Sequence, residues 1–187
     1  MKNFLIVIIS IMSLSMNIKA QEKLIINTKS STIKWNGYYT FYFGGHEGTI
    51  NFTEGYFIKT NDKITGGSFI IDMNTLVSTD IEKGKAKTNL ENHLKDPDFF
   101  DVQKHPKASL IITKVKYFKD GAVRIEANLT MKSITKPINF NATMDYDNKR
   151  LTTKFKIDRR RWKVNYTSKV RDGAISDAIG FDVTLQL

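Results

Sequence analysis

Residues 122–131 read AVRIEANLTM, in which Val123, Ile125, Ala127, Leu129 and Met131 alternate with Arg124, Glu126, Asn128 and Thr130. Successive side chains of a strand point to opposite faces, so this alternation gives one apolar face and one wet face. Working outward, residues 137–144 (PINFNATM) repeat the scheme with Ile138, Phe140, Ala142 and Met144. Residues 179–187 (IGFDVTLQL) do so with Ile179, Phe181, Val183, Leu185 and Leu187. Upstream, in residues 67–74 (GSFIIDMN), Phe69, Ile71 and Met73 share a face, with Ser68, Ile70, Asp72 and Asn74 opposite. Segment after segment half buried and half wet describes an antiparallel sheet.

The punctuation agrees. Asn61-Asp62-Lys63, Asp120-Gly121 and Asp147-Asn148 each separate two strand-like runs as hairpin turns. The pattern predicts strands near 24–27, 32–43, 48–59, 64–74, 108–118, 122–131, 137–146, 151–158 and 178–187. No repeat, low-complexity tract or linker divides them, so residues 21–187 read as a single all-β domain. A sheet of that size closes into a barrel or splits into a sandwich.

Residues 1–20 read separately. Lys2 is a short basic start, Phe4 to Leu14 is largely apolar, and Ala20 is a small residue at a cleavage-like position. This is the pattern of a secretory signal peptide, with cleavage near Ala20-Gln21 and a periplasmic or secreted product. The chain has no cysteine, which excludes thiol nucleophiles, cysteine zinc sites and disulfide staples. Its formal charge is +10, from 29 basic and 19 acidic residues; without Lys2 and Lys19 it is +8. Such a charge suits a transient contact with a membrane surface through basic residues, and an exported protein is not expected to meet nucleic acid.

One stretch interrupts the strands. Thr88 to Glu91 has capping-box spacing, Leu90 and Leu94 share a helical face, and Asp96-Pro97 restarts the pattern as N-cap and first helical residue. The prediction is a short helical insert over 88–101. It carries His93, His105, Asp96, Asp98 and Asp101, the residue types of acid–base or metal chemistry. The histidines lie twelve residues apart with a helix restart between them, and His105 precedes Pro106, which favours extended backbone. Phe99 and Phe100 read as one turn pinned to an apolar surface. No nucleophile elbow, phosphate loop or dinucleotide fingerprint is present. Neither metal nor cofactor is expected. His46, between glycines at a strand turn, reads as a turn residue or a pocket-lining one. Arg159, Arg160, Arg161 and Lys163 surround Trp162, either as an anion site or as a basic hairpin end with the indole folded back as a lid.

Residues 93–113 (HLKDPDFFDVQKHPKASLIIT) resemble the signature of the YceI-like family: His-Leu, then Asp-Phe-Phe-Asp, then a Pro leading into a strand. Residues 127–144 (ANLTMKSITKPINFNATM) resemble its second block, residues 66–80 (GGSFIIDMNTLVSTD) fit the strand before the signature, and residues 46–57 (HEGTINFTEGYF) are similar to a Bacteroidetes-type subgroup. Two departures stand out. Glu91-Asn92 replaces the Arg-Asp that commonly precedes the His-Leu, removing a charged partner beside His93, and Asn128 stands where a Gly is frequent.

The resemblance implies a lipocalin-like, extended antiparallel barrel of about eight strands. It also implies an exported protein that holds a long-chain amphiphile in the barrel: a polyisoprenoid, isoprenoid quinone or fatty-acid-like lipid. No catalytic activity comes with it, and some members pair as homodimers. Such a barrel has room inside for side chains or one slender ligand. Each buried methylene is worth roughly 0.8 kcal/mol, so ten give about 8 kcal/mol gross before ordering losses. The expected tunnel lining is Phe69, Ile71, Met73, Leu110, Ile112, Leu129, Phe140 and Phe155, with Trp35, Phe99 and Phe100 near an end. His93 and Trp162 are assigned to the polar or gating end. Two alternatives stay open: an exported hydrolase or isomerase using His93 or His105 with an Asp, and a surface glycan-binding β-sandwich.

Overall fold

A computed structural model describes residues 21–40, 43–166 and 175–187. The signal-peptide reading of residues 1–20 lies outside them. The elements are β1 (Gln21–Ile25), β2 (Thr32–Tyr39), β3 (Gly45–Thr60), β4 (Lys63–Ser78), α1 (Lys85–Lys95), β5 (Lys107–Tyr117), β6 (Ala122–Met131), β7 (Ile134–Asp145), β8 (Arg150–Asp158) and β9 (Ile175–Gln186). A 3-10 turn follows β8 at Arg159–Trp162.

Every pairing is antiparallel, and the order β3-β2-β9-β8-β7-β6-β5-β4 returns to β3 through the β3–β4 pairing. Eight strands therefore close a barrel, and the sandwich alternative is set aside. β1 is not a ninth stave. It pairs with the far half of β3, Gln21↔Thr60 to Ile25↔Tyr56, while β2 pairs with the near half, Ile33↔Ile50 to Tyr38↔Gly45. β1 and β2 thus share one edge of β3, separated by a turn in which the Asn27 side chain accepts from the Lys29 and Ser30 amides.

The alternation seen in the sequence becomes inside and outside. Val123, Ile125, Ala127, Leu129 and Met131 on β6 are buried, as are Ile138, Phe140, Ala142 and Met144 on β7. Two-residue turns set the register, with φ of 50° and 60° at Asn61 and Asp62 and of 57° and 73° at Asp120 and Gly121. Lys132 and Ser133, with φ of 47° and 59°, form a third such turn that carries neither Asn nor Gly.

The insert differs from its expected form. α1 begins at Lys85 after Gly84, so Thr88 lies inside it, with its hydroxyl donating back to the Gly84 carbonyl at 3.2 Å. The capping box is absent because Glu91 is engaged elsewhere: its carboxylate accepts the Ser78 amide at 2.8 Å, tying α1 to the end of β4. Asp96 closes α1 rather than opening a second helix, and its carbonyl accepts the Phe99 and Asp101 amides. A tertiary contact and the good helix formers Lys85-Ala86-Lys87 outweigh the local cap signal.

Candidate functional site

The barrel encloses an elongated cavity of about 140 Å³. That is roughly ten times the space one water needs. Its lining runs along β9 from Ile175 to Leu185 and along β8 from Leu151 to Phe155 and on to Arg159. The ten steps of β9 from Ile175 to Leu185 span about 34 Å of strand, or roughly 26 Å along the axis at a tilt of about 40°.

Of the residues expected to line a tunnel, Trp35, Phe69, Ile71, Met73, Phe99, Phe100, Leu110, Ile112, Leu129, Phe140 and Phe155 all face this cavity. Phe69 is held by an edge-to-face contact with Phe57 at 5.1 Å. Trp35 lies against β3 because position 48 is glycine: a Cβ there would overlap the indole and the Val77 carbonyl oxygen. The Trp35 Nε1 donates to the Thr49 carbonyl at 3.3 Å. His93 and Trp162 lie off the cavity. The Trp162 indole is completely buried and donates to the Leu129 carbonyl at 3.0 Å, so it packs the wall from behind.

Polar side chains in the lining are Thr153, Arg159 and Ser176, and each is satisfied by the protein. The Thr153 hydroxyl donates to the Asn141 carbonyl at 2.6 Å, and the Ser176 hydroxyl accepts the Ala178 amide at 3.1 Å. Arg159, 4% exposed, donates to the carbonyls of Ser176 (3.1 Å), Tyr166 (3.0 Å) and Val164. Burial pushes its guanidinium below the ordinary value, while Asp177 at 3.5 Å opposes that shift. The neighbouring cations are also paired: Arg160 bridges Asp158 and Asp177, and Arg161 donates to the Pro137 carbonyl at 2.7 Å. Three consecutive arginines therefore serve three different structural tasks.

The insert lies over this end of the cavity, with Leu94, Phe99 and Phe100 in its lining. Lys132, at the β6–β7 turn, fastens it. Its ammonium donates to the carbonyls of Phe99 (2.7 Å), Pro97 (3.3 Å) and Lys163 (3.5 Å). Lys132 carries no motif of its own in the sequence. Its signal was the two-residue gap between the alternating runs ending at Met131 and starting at Ile134.

The histidines do not converge. The His93 ring stacks edge-on against Tyr166 at 4.3 Å and Phe99 at 5.9 Å, with Asp98 3.7 Å from its Nε2. His105 meets the Ser133 hydroxyl at 3.1 Å. His46 sits at the rim, its Nε2 2.9 Å from the Tyr39 hydroxyl and its Nδ1 2.8 Å from Asp80. Burial works against the Asp80 charge, but hydrogen bonds from His46, Ser78 and the backbone hold its pKa below the ordinary carboxylate value. No three acidic or histidine side chains come together as a metal site among the described residues.

The profile of the YceI-like domain matches residues 25–187. A UPF0312 protein of Pseudomonas putida is 32% identical over 104 residues, covering 54% of this chain and 50% of that protein. Another, from Pectobacterium atrosepticum, is 33% identical over 115 residues, covering 60% and 53%. The matched stretch thus spans about half the length of these relatives. Among solved structures, BcnA of Burkholderia cenocepacia superimposes with a TM-score of 0.64 at 14% identity, covering 86% of this chain and 98% of that one. The YceI protein of Campylobacter jejuni does so with a TM-score of 0.51 at 16% identity, covering 99% and 91%. At these identities the two structures speak for the fold.

Proposed function

The chain belongs to the YceI-like family, and on that premise we propose that it binds a long-chain amphiphile in the barrel interior as carrier, buffer or scavenger. The observation that carries this reading is the cavity: long, narrow, and walled by apolar side chains whose few polar neighbours are already hydrogen-bonded. Such a space is unfavourable for water and favourable for a hydrocarbon or prenyl chain. The polar end of the ligand belongs beside Arg159, Ser176 and the carbonyls around them, the polar region that the described residues present to the cavity at its insert end. The reading includes no catalytic step. It places the protein outside the cytoplasm, consistent with residues 1–20, and allows transient membrane-surface contact through basic residues.

Native mass spectrometry of the purified protein, followed by solvent extraction, tests it. The expected result is a protein mass increased by one long-chain amphiphile that the extract identifies. A protein that emerges ligand-free and takes up no added prenyl alcohol, quinone or fatty acid would sink the proposal.

A further inference from the structure

One seam of the barrel wall has the shortest ladder of any two adjacent staves. β6 and β7 pair from Ala122↔Thr143 to Met131↔Ile134, and β8 and β9 from Arg150↔Gln186 to Asp158↔Ala178. Between them, β7 and β8 pair only from Asp145↔Arg150 to Ala142↔Thr153. Residues 134–141 and 154–158 are therefore strands on their outer sides and unpaired towards each other.

The sequence builds this fork. Pro137 has no N–H to give a ladder, and a proline inside a sheet is tolerated at an edge. Side chains replace ladder partners at the two ends of the gap: Arg161 donates to the Pro137 carbonyl at its head, and the Thr153 hydroxyl to the Asn141 carbonyl at its foot. Between those two fastenings the wall is a pair of rings. Phe140 from β7 and Phe155 from β8 stack at 4.5 Å with 14° between their planes, and both line the cavity. Phe155 is only half buried and leans on Phe181 at 5.4 Å. A surface groove bordered by Asn141, Thr152, Lys154 and Asp182 lies outside, at the foot of the gap.

We infer that the seam between β7 and β8 is a lateral portal for an apolar chain, with Phe140 and Phe155 as its two shutters. This rests on the binding reading above. Parting two rings changes side-chain rotamers and breaks no backbone ladder, because none joins the strands there. The competing route past the insert would have to release the Lys132 ammonium from the Phe99 and Pro97 carbonyls and Glu91 from the Ser78 amide. Charge-assisted hydrogen bonds of that kind are the harder ones to give up.

The chain contains no cysteine, so a thiol pair can be introduced cleanly. Continuing the Ala142↔Thr153 register up the gap sets position 139 opposite 156. Asn139→Cys/Lys156→Cys, bridged by a short bis-methanethiosulfonate, would staple the seam, and reductant would release it. Parinaric acid is the probe, with stopped-flow quenching of tryptophan fluorescence as the readout. Expected are association and dissociation at least tenfold slower in the bridged form, an affinity within threefold of wild type, and recovery on reduction. Phe155→Ala should speed both rates severalfold. Rates within twofold of wild type in a chain shown by mass to be bridged would overturn the portal and leave the binding reading standing. Failure of the wild-type chain to bind the probe would overturn the binding reading, and the portal with it.

Discussion

At one end of the barrel, β3 turns into β4 at Asn61 and Asp62, β5 into β6 at Asp120 and Gly121, and β7 into β8 through residues 146–149. At the other end, residues 79–106 and 159–166 are laid across the opening. The first end is held by local backbone geometry. Positive-φ turn residues and strand pairing set that end, joined by backbone bonds between neighbouring hairpins: the Gly121 carbonyl accepts the Met144 amide and the Lys149 carbonyl the Leu187 amide. The second end is held by side chains reaching across the sequence: Lys132 to Phe99, Glu91 to Ser78, Arg159 to Ser176, Trp162 to Leu129. Polar groups that line the cavity beside Arg159 stand at that second end. The contrast is one of range: the hairpin end is fixed largely by residues close in sequence, the insert end by side chains that reach partners more than a dozen positions away.

The comparison can be broken most forcefully at Trp162. Trp162→Ala removes a completely buried indole together with its hydrogen bond to the Leu129 carbonyl. It should cost about 3–5 kcal/mol, and at this chain length lower Tm by roughly 10 °C or more. Calorimetry checks it; a fall of only one or two degrees would mean that the insert end is not held by this packing.

Lys132→Met keeps the aliphatic stem and deletes the ammonium. A loss of about 2 kcal/mol is expected, the range for hydrogen bonds to a charged group. Amide exchange should quicken at residues 96–104 while the 61–62 and 120–121 turns keep their protection. Equal loosening at both ends would erase the distinction drawn between them.

A smaller effect belongs to the hairpin end. Asn61→Ala places an ordinary side chain at φ 50° and should destabilise by about 1 kcal/mol. Retention of extracted lipid should not change; a protein that lost its ligand would show the hairpin end to be part of the site.

The smallest effect concerns pH. Asp80 has a folded-state pKa below its ordinary value of 3.8, so its contribution is fully present above that value and lost as pH falls through the lowered one. Asp80→Asn should therefore be less stable than wild type by under about 1 kcal/mol between pH 5 and 8, for a group this accessible. Urea midpoints should converge below about pH 4. A gap that stayed constant into strong acid would show that ionisation of Asp80 is not what fastens the rim.

The strands were legible because period two survives wherever one face is buried. AVRIEANLTM becomes β6 without a residue's difference, and nearly every expected strand differs from its observed span only at the ends. The inward set was legible for the same reason. The insert was legible in existence but not in form: Thr88 and Glu91 have cap spacing, and nothing local reveals that Glu91 has the Ser78 amide in reach. Lys132-Ser133 was missed because turns of this geometry usually announce themselves with Asn or Gly.

By itself the sequence determined the alternation, the closing turns, the lack of thiol chemistry and the apolar character of whatever the strands enclose. These follow from side-chain period and residue type, which are local. Tertiary structure alone decided which of three adjacent arginines is buried, why His93 and His105 go to different partners, and that Pro137 sits where β7 has lost its neighbour. Those outcomes depend on residues dozens of positions apart meeting across a closed barrel, and pairings of that range leave no periodic trace in the chain.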